Sequence, residues 1–194
     1  MKRIKVLKGK NRYEVYLGKG TFDTFPELIE QIGLNTNILY IVDENVMKFH
    51  SEKINSIIAK SKGKSNLYLM PSGEKNKSTD QFYKIMSFMA ENNYGRDSLI
   101  AAIGGGVTGD IAGFAASTYM RGVQLVQIPT TLLAMVDSSV GGKTGINFIN
   151  RKNIIGTFYQ PDFVLSDSTF LSTLPENELI SGAGEIIKYA FLSN

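Results

Sequence analysis

Two five-residue apolar runs, Ile38-Leu39-Tyr40-Ile41-Val42 and Leu99-Ile100-Ala101-Ala102-Ile103, constrain this chain more than any other feature. Neither alternates with polar residues, so each reads as a strand covered on both faces. Around them the periodicity switches to that of helices. Leu28, Ile29 and Ile32 share a helical face that stops at Gly33, Ile54, Ile57 and Ile58 mark a second helix, and Phe82, Ile85, Met86 and Met89 form the stripe of a third. A strand at Leu67 to Met70 precedes that third helix. After a glycine cluster, Ile111, Phe114 and Ala115 mark a fourth helix, and Gln124 to Ile128 reads as another strand. The alternation predicts an α/β fold: a mainly parallel sheet with flanking helices and ligands at the carboxyl ends of its strands. At the amino end, Ile4 to Leu7 and Tyr13 to Leu17 flank the turn-like Lys8-Gly9-Lys10-Asn11 and predict a hairpin. From Thr173 the pattern becomes helical, with Leu174-Pro175-Glu176 at the start and Ile187, Ala190 and Phe191 as its apolar stripe. That helix has barely begun at Asn194, so the expectation is a piece of a longer protein.

Composition narrows the chemistry. The 194 residues contain no cysteine, which excludes disulfides, thiol catalysis and cysteine-ligated metals, and a single histidine, His50, read as a surface or loop-end residue. Hydrophobic residues make up 43% and charged residues 20%, the balance of a folded globular protein. The net charge of +3 is mild, and the lysines between Lys53 and Lys77 read as a solvated helix and loop, so no nucleic-acid partner is expected. No apolar run reaches membrane-spanning length, and the alternating amino terminus lacks the core of a signal peptide. A cytoplasmic protein with no membrane partner is the expectation.

Gly104-Gly105-Gly106-Val107-Thr108-Gly109 follows one predicted strand and opens a helix, the context that a G-x-G-x-x-G phosphate loop requires. Free N–H groups at a helix start, placed by this reading at Thr108 to Asp110, would face a pyrophosphate. In the common dinucleotide fold an acidic residue closes the following strand, about 20 residues on. Here that strand ends in Pro129-Thr130-Thr131, whereas Asp43 closes the strand 38–42. Asp43 is either a ribose ligand or the cap of the next helix, and the two roles are compatible.

Between Pro129 and Asn153 the helical pattern fades, and small, polar and cationic residues gather in what read as loops: Thr130, Thr131, Asp137, Lys143, Lys152 and Asn153. Lys143 and Lys152 suit an anionic substrate, or are solvated surface groups. A triphosphate loop ending in Gly142-Lys143-Thr144 fails, because the position that should hold its first glycine is Asp137. On the last helix Glu185 and Lys188 are three apart, on a face opposite the Ile187 stripe. They form either an exposed ion pair or a metal-binding carboxylate beside a substrate-binding lysine.

Four blocks together resemble 3-dehydroquinate synthases, members of the sugar-phosphate cyclases: Gly104 to Asp110, Met135 to Asn147, Lys152-Asn153-Ile154-Ile155-Gly156, and Gly184-Glu185-Ile186-Ile187-Lys188-Tyr189. The likeness is collinear from about Asp43 onward, and the block from Asp137 to Asn147 separates this family from others of its fold. Arg151 stands where a glycine is common, and Tyr159 where a histidine is frequent. The resemblance implies a Rossmann-like NAD-binding domain over residues 1–172 and, over 173–194, the start of a helical metal and substrate domain. It implies NAD as a recycled cofactor, a divalent metal, usually zinc with cobalt as an alternative, and a homodimer in the full-length enzyme. The implied reaction converts 3-deoxy-D-arabino-heptulosonate 7-phosphate to 3-dehydroquinate and phosphate: one hydroxyl is oxidised, phosphate is eliminated, the ketone is reduced again, and an aldol step closes the ring.

Carried over by motif, the resemblance assigns Asp43, Glu74 and Lys77 to the adenosine side of NAD and Gly105, Gly106 and Asp110 to its pyrophosphate. Thr130, Thr131, Lys152, Thr173 and Leu174 complete the cofactor pocket, and Asp137 lies near the nicotinamide. Lys143, Asn153, Lys188 and Arg121 meet the substrate, Arg121 from across a dimer contact. Glu185 is a metal ligand whose two histidine partners lie beyond Asn194. Three other readings share many of these features: another sugar-phosphate cyclase, a metal-dependent polyol dehydrogenase of related fold, and a non-catalytic NAD-binding module. The retained substrate and metal positions speak against the last, since NAD binding alone needs neither.

Overall fold

A computed structural model describes residues 1–8, 11–34 and 37–192. The middle of the expected amino-terminal turn, Gly9 and Lys10, lies outside the described residues, but its two strands are present. β1 (Lys2–Lys8) pairs antiparallel with β2 (Asn11–Gly18), Ile4 opposite Val15.

The chain then winds as α1 (Phe25–Ile32), β3 (Asn37–Asp43), α2 (Glu44–Ala59), β4 (Ser65–Met70), α3 (Thr79–Glu91), β5 (Ser98–Gly104), α4 (Gly106–Thr118) and β6 (Gln124–Pro129). After β6 come a short π-helical turn (Ala134–Ser138), the hairpin β7 (Lys143–Phe148) and β8 (Arg151–Phe158), and then β9 (Phe163–Asp167), a 3₁₀ turn (Ser168–Thr173) and α5 (Glu176–Leu192). The main sheet has the order β1-β2-β9-β6-β5-β3-β4 and is parallel except for the β1–β2 pair. β7 and β8 form a separate antiparallel pair.

Both apolar runs are buried as their composition requires. On β3, Ile38, Tyr40 and Val42 face a core with Phe25, Ile54, Ile57 and Phe163, while Leu39 and Ile41 face a second core with Ile85, Met89, Ile111 and Phe114. Five alternating residues thus serve two cores, which explains why no polar residue interrupts them. α1 ends as the sequence predicts, with Gly33 at φ 72° in the left-handed region that a glycine enters at little cost.

Two expectations need correction. Residues 129–153 are not simply loops: they build the π-helical turn and the β7–β8 hairpin, which packs over α4 and is short enough to escape a periodicity reading. β9, which returns to the main sheet after this insertion, has no helix before it to announce it. His50, read as a surface or loop-end residue, is half-buried and lies within a helix, not at a loop end. It sits inside α2 at a break (φ −129°, ψ 23°), with its ring edge-on to Phe170 at 4.9 Å. Among the described residues no helix is long and apolar enough to cross a membrane.

Candidate active site

β3 connects outward to β4, whereas the chain after β5 winds the other way to β6, so the direction reverses between β3 and β5. A crevice forms at such a reversal, outside the carboxyl ends of the strands. In register Val42 lies beside Ile103, Asp43 beside Met70, and Gly104 beside Pro129. Asp43, the segment 72–77, Gly105-Gly106 and Thr130-Thr131 therefore line one edge, in four neighbouring loops.

The glycine loop is shaped by its neighbours as much as for a ligand. A Cβ on Gly104 would lie 2.7 Å from the Thr108 side chain, one on Gly105 3.1 Å from Thr131 Cγ2, and one on Gly106 3.0 Å from Ser138 Oγ. Gly109, deeper in α4, would meet Gln127 at 2.7 Å, the close helix-to-strand approach that the last glycine of the motif permits. The helix begins at Gly106 with Gly105 as its cap, two residues before the expected start, so the free N–H groups belong to Gly106 and the residues just after it. The cap has no side-chain hydrogen bond. An open, positively polarised helix end beside three glycines fits an anionic phosphate group.

Asp43 caps α2, accepting from the Asn45 N–H at 2.9 Å, and also accepts from Ser72 Oγ at 2.6 Å. Its structural role is therefore present, and it binds the β4–α3 loop to the end of β3. That loop carries Lys77, which is 4% exposed and whose ammonium donates to both Asp110 and Asn153. Burial pushes the Asp110 carboxyl up, against the pull of Lys77, and the charges of Glu74 and Asp137 push the same way as burial. Glu74 accepts from Asn147 Nδ2 at 2.8 Å and lies 3.8 Å from the Lys152 ammonium. The hairpin is thus laced to the β4–α3 loop at the edge of the crevice.

The other candidates are more dispersed. Thr130 is buried with its N–H on the Gly104 carbonyl at 3.0 Å, and Thr131 Oγ1 accepts from the Ala134 N–H at 3.1 Å, starting the turn that carries Asp137. Asp137 accepts from the Tyr189 hydroxyl at 2.7 Å, a bond that raises the Tyr189 pKa. Glu185 pairs with Lys188 at 2.6 Å, and this carboxylate raises the lysine's pKa. Thr173 Oγ1 shares a 2.7 Å hydrogen bond with His50 Nε2, and the Leu174 N–H closes the 3₁₀ turn on Leu171. Lys143 is exposed at the start of β7. Arg121 does not join the others: it lies between α4 and β6, at the amino edge of the sheet, with φ 70°. A cleft of about 430 Å³ opens at that same far edge, between Arg96, Gln124, Tyr159 and Asp162.

Among the described residues no three His, Asp or Glu side chains cluster as a metal site would require. Glu185, held by Lys188, does not make one alone. α5 carries it on a helix touching the rest of the chain mainly at Gly182, where a Cβ would lie 2.6 Å from Leu132. Its apolar stripe is open, with Ile187 57% and Phe191 80% exposed. Sequence reasoning gave no role to Asn147, Ser72 or Tyr189, although Asn147 and Tyr189 end two of the quoted blocks. Periodicity has no means of singling out a polar residue whose partners are distant in sequence.

Comparison with known proteins bears on the family and the fold. The family model described as 3-dehydroquinate synthase N-terminal matches residues 67–181. A 3-dehydroquinate synthase of Alkaliphilus oremlandii is 44% identical over 194 residues, covering 100% of this chain and 53% of that protein. The chain therefore spans about half the length of the curated relatives it matches. Among solved structures, the 2-epi-5-epi-valiolone synthase of Streptomyces hygroscopicus, with NAD⁺ and Zn²⁺ bound, superimposes with a TM-score of 0.82 at 31% identity, over 96% of this chain and 51% of that one. A 2-deoxy-scyllo-inosose synthase complexed with carbaglucose-6-phosphate, NAD⁺ and Co²⁺ gives a TM-score of 0.87 at 24% identity, over 96% and 51%, and bears on the fold alone.

Proposed function

From the premise that this chain belongs to the 3-dehydroquinate synthase family, we propose that it forms the NAD-binding part of a cytoplasmic enzyme converting 3-deoxy-D-arabino-heptulosonate 7-phosphate to 3-dehydroquinate and phosphate. The observation that carries this reading is the convergence of four strand ends on one crevice, laced by Lys77, Asn147 and Glu74 to a hairpin bearing Asn153 and Lys152. A plain NAD-binding module needs the crevice and not the hairpin.

In this reading residues 1–172 are the cofactor domain and 173–194 begin the helical domain. Asp43, Glu74 and Lys77 hold the adenosine side, and the open start of α4 at Gly105 and Gly106, with Asp110, takes the pyrophosphate. Thr130, Thr131, Lys152, Thr173 and Leu174 close the pocket. When bound, NAD supplies a hydride acceptor that returns the hydride later in the same turnover. The residues of this chain bind and orient: Lys143 and Lys188 meet the substrate's anionic groups as point charges, Asn153 binds a hydroxyl, and Asp137 sits beside the nicotinamide end. Arg121, remote from this edge, serves the site of a second copy in a homodimer. Glu185 would give a zinc or cobalt ion one ligand, with the others coming from outside the described residues.

The test pairs NAD titration with a phosphate-release assay using the heptulosonate phosphate, NAD and zinc. These 194 residues should bind NAD weakly and release no phosphate, while the chain extended to the length of its relatives should release it continuously. Sustained turnover by the 194 residues alone would refute the division of the site, and absence of NAD binding by either would refute the function. Net accumulation of NADH by the extended chain would favour a polyol dehydrogenase instead.

A further inference from the structure

Asn147 makes three hydrogen bonds to three residues of the candidate site. Its backbone N–H donates to the Lys77 carbonyl at 2.8 Å, its Nδ2 donates to Glu74 Oε1 at 2.8 Å, and its Oδ1 accepts from the Asn153 N–H at 2.9 Å. The Lys77 ammonium in turn donates to Asn153 Oδ1, closing a ring through Asn147, Asn153 and Lys77, and to Asp110 in the first turns of α4. Asn153 has φ 56°, in the left-handed region that asparagine enters more readily than other non-glycine residues. The Asn147 amide oxygen holds its N–H in that conformation.

The chemistry at 147 is specific. One atom must donate to a carboxylate while its neighbour accepts from a backbone N–H, which a primary amide does and a carboxylate does not. Serine and threonine offer one oxygen where two atoms are needed.

We infer that Asn147 is a positioning residue that fixes the cofactor-side groups Glu74 and Lys77 and the substrate-side Asn153 as one unit, so that both halves of the crevice are set together. This rests on the cyclase reading above. Asn147 touches neither ligand in that reading and acts through the three residues it holds.

The experiment is a double-mutant cycle in the full-length protein, with NAD affinity measured by calorimetry, KM and kcat by phosphate release, and folding by thermal melting. Asn147→Asp faces Glu74 with a second carboxylate. It should weaken NAD binding and raise KM for the heptulosonate phosphate, each by about tenfold, with kcat changed less than about threefold. In a Glu74→Gln background the amide at 74 can donate to the new carboxylate, which reverses the polarity of the bond and keeps the net charge of the native pair. There the same substitution should cost less than about threefold.

Equal cost in both backgrounds, or loss confined to one ligand, would overturn the inference. If Asn147→Asp alone does not fold, the double variant must still fold and bind both ligands within about threefold of Glu74→Gln alone, and its failure to do so is equally decisive. A native protein that binds no NAD would defeat the functional reading itself, an outcome distinct from either of these.

Discussion

Replacing Asp167 by asparagine should lower stability by about 3 kcal/mol at pH 7, nearly all of it traceable to one buried carboxylate. The Asp167 side chain is fully shielded at the end of β9. Its Oδ1 accepts from Gly20 N–H at 2.8 Å, Thr169 N–H at 2.9 Å and Thr169 Oγ1 at 2.8 Å, and its Oδ2 accepts from Phe22 N–H at 3.1 Å and Lys53 Nζ at 2.6 Å. Burial alone would raise its pKa, but the Lys53 ammonium and the surrounding donors outweigh burial and hold it at about 2, against 3.8. That depression corresponds to roughly 2 kcal/mol of stability, fully present above the unfolded value and lost as the pH falls through about 2. Asparagine adds a further cost, because its amide nitrogen must face one of the two donor sets and Lys53 loses its counter-charge. For a chain of this size the sum is a melting point about 8 °C lower. Thermal melts followed by far-ultraviolet circular dichroism from pH 7 to pH 2 read both parts. A shift of under about 2 °C at pH 7, or a gap between native and variant that stays undiminished at pH 2, would show that the carboxylate is not ionised and paired as described.

Lys77→Met removes the partner of a buried carboxyl whose pKa burial already raises, so Asp110 should take up a proton on folding. A folded pKa above the unfolded one means stability falls as pH rises. Urea melts should therefore show a loss of about 3 kcal/mol at pH 7 that shrinks toward pH 5, and a loss independent of pH would contradict the pairing. Replacing both Ile187 and Phe191 by serine should leave the melting point of the 194-residue chain nearly unchanged, since both are exposed, while reducing self-association seen by sedimentation velocity.

How far the sequence could be read depended on the distance over which a signal acts. β3 and β5 were legible because burial on both faces leaves an unbroken apolar run, and α1 because Gly33 terminates it. The crevice was half legible: a glycine cluster between strand and helix and an aspartate at a strand end can be found one at a time, but their adjacency depends on the strand order, which no local pattern encodes. The hairpin was misread because β8 is largely exposed, and an exposed strand outside the main sheet carries little apolar alternation. Its polar contacts run from Asn147, Lys152 and Asn153 to Glu74 and Lys77, pairs some 70 residues apart. Its apolar residues Phe148, Ile149, Ile154 and Phe158 are exposed and outline no buried face. The hairpin therefore offers neither signal that a periodicity reading uses: those apolar side chains do not alternate into a core, and the polar contacts that hold it in place join residues distant in sequence.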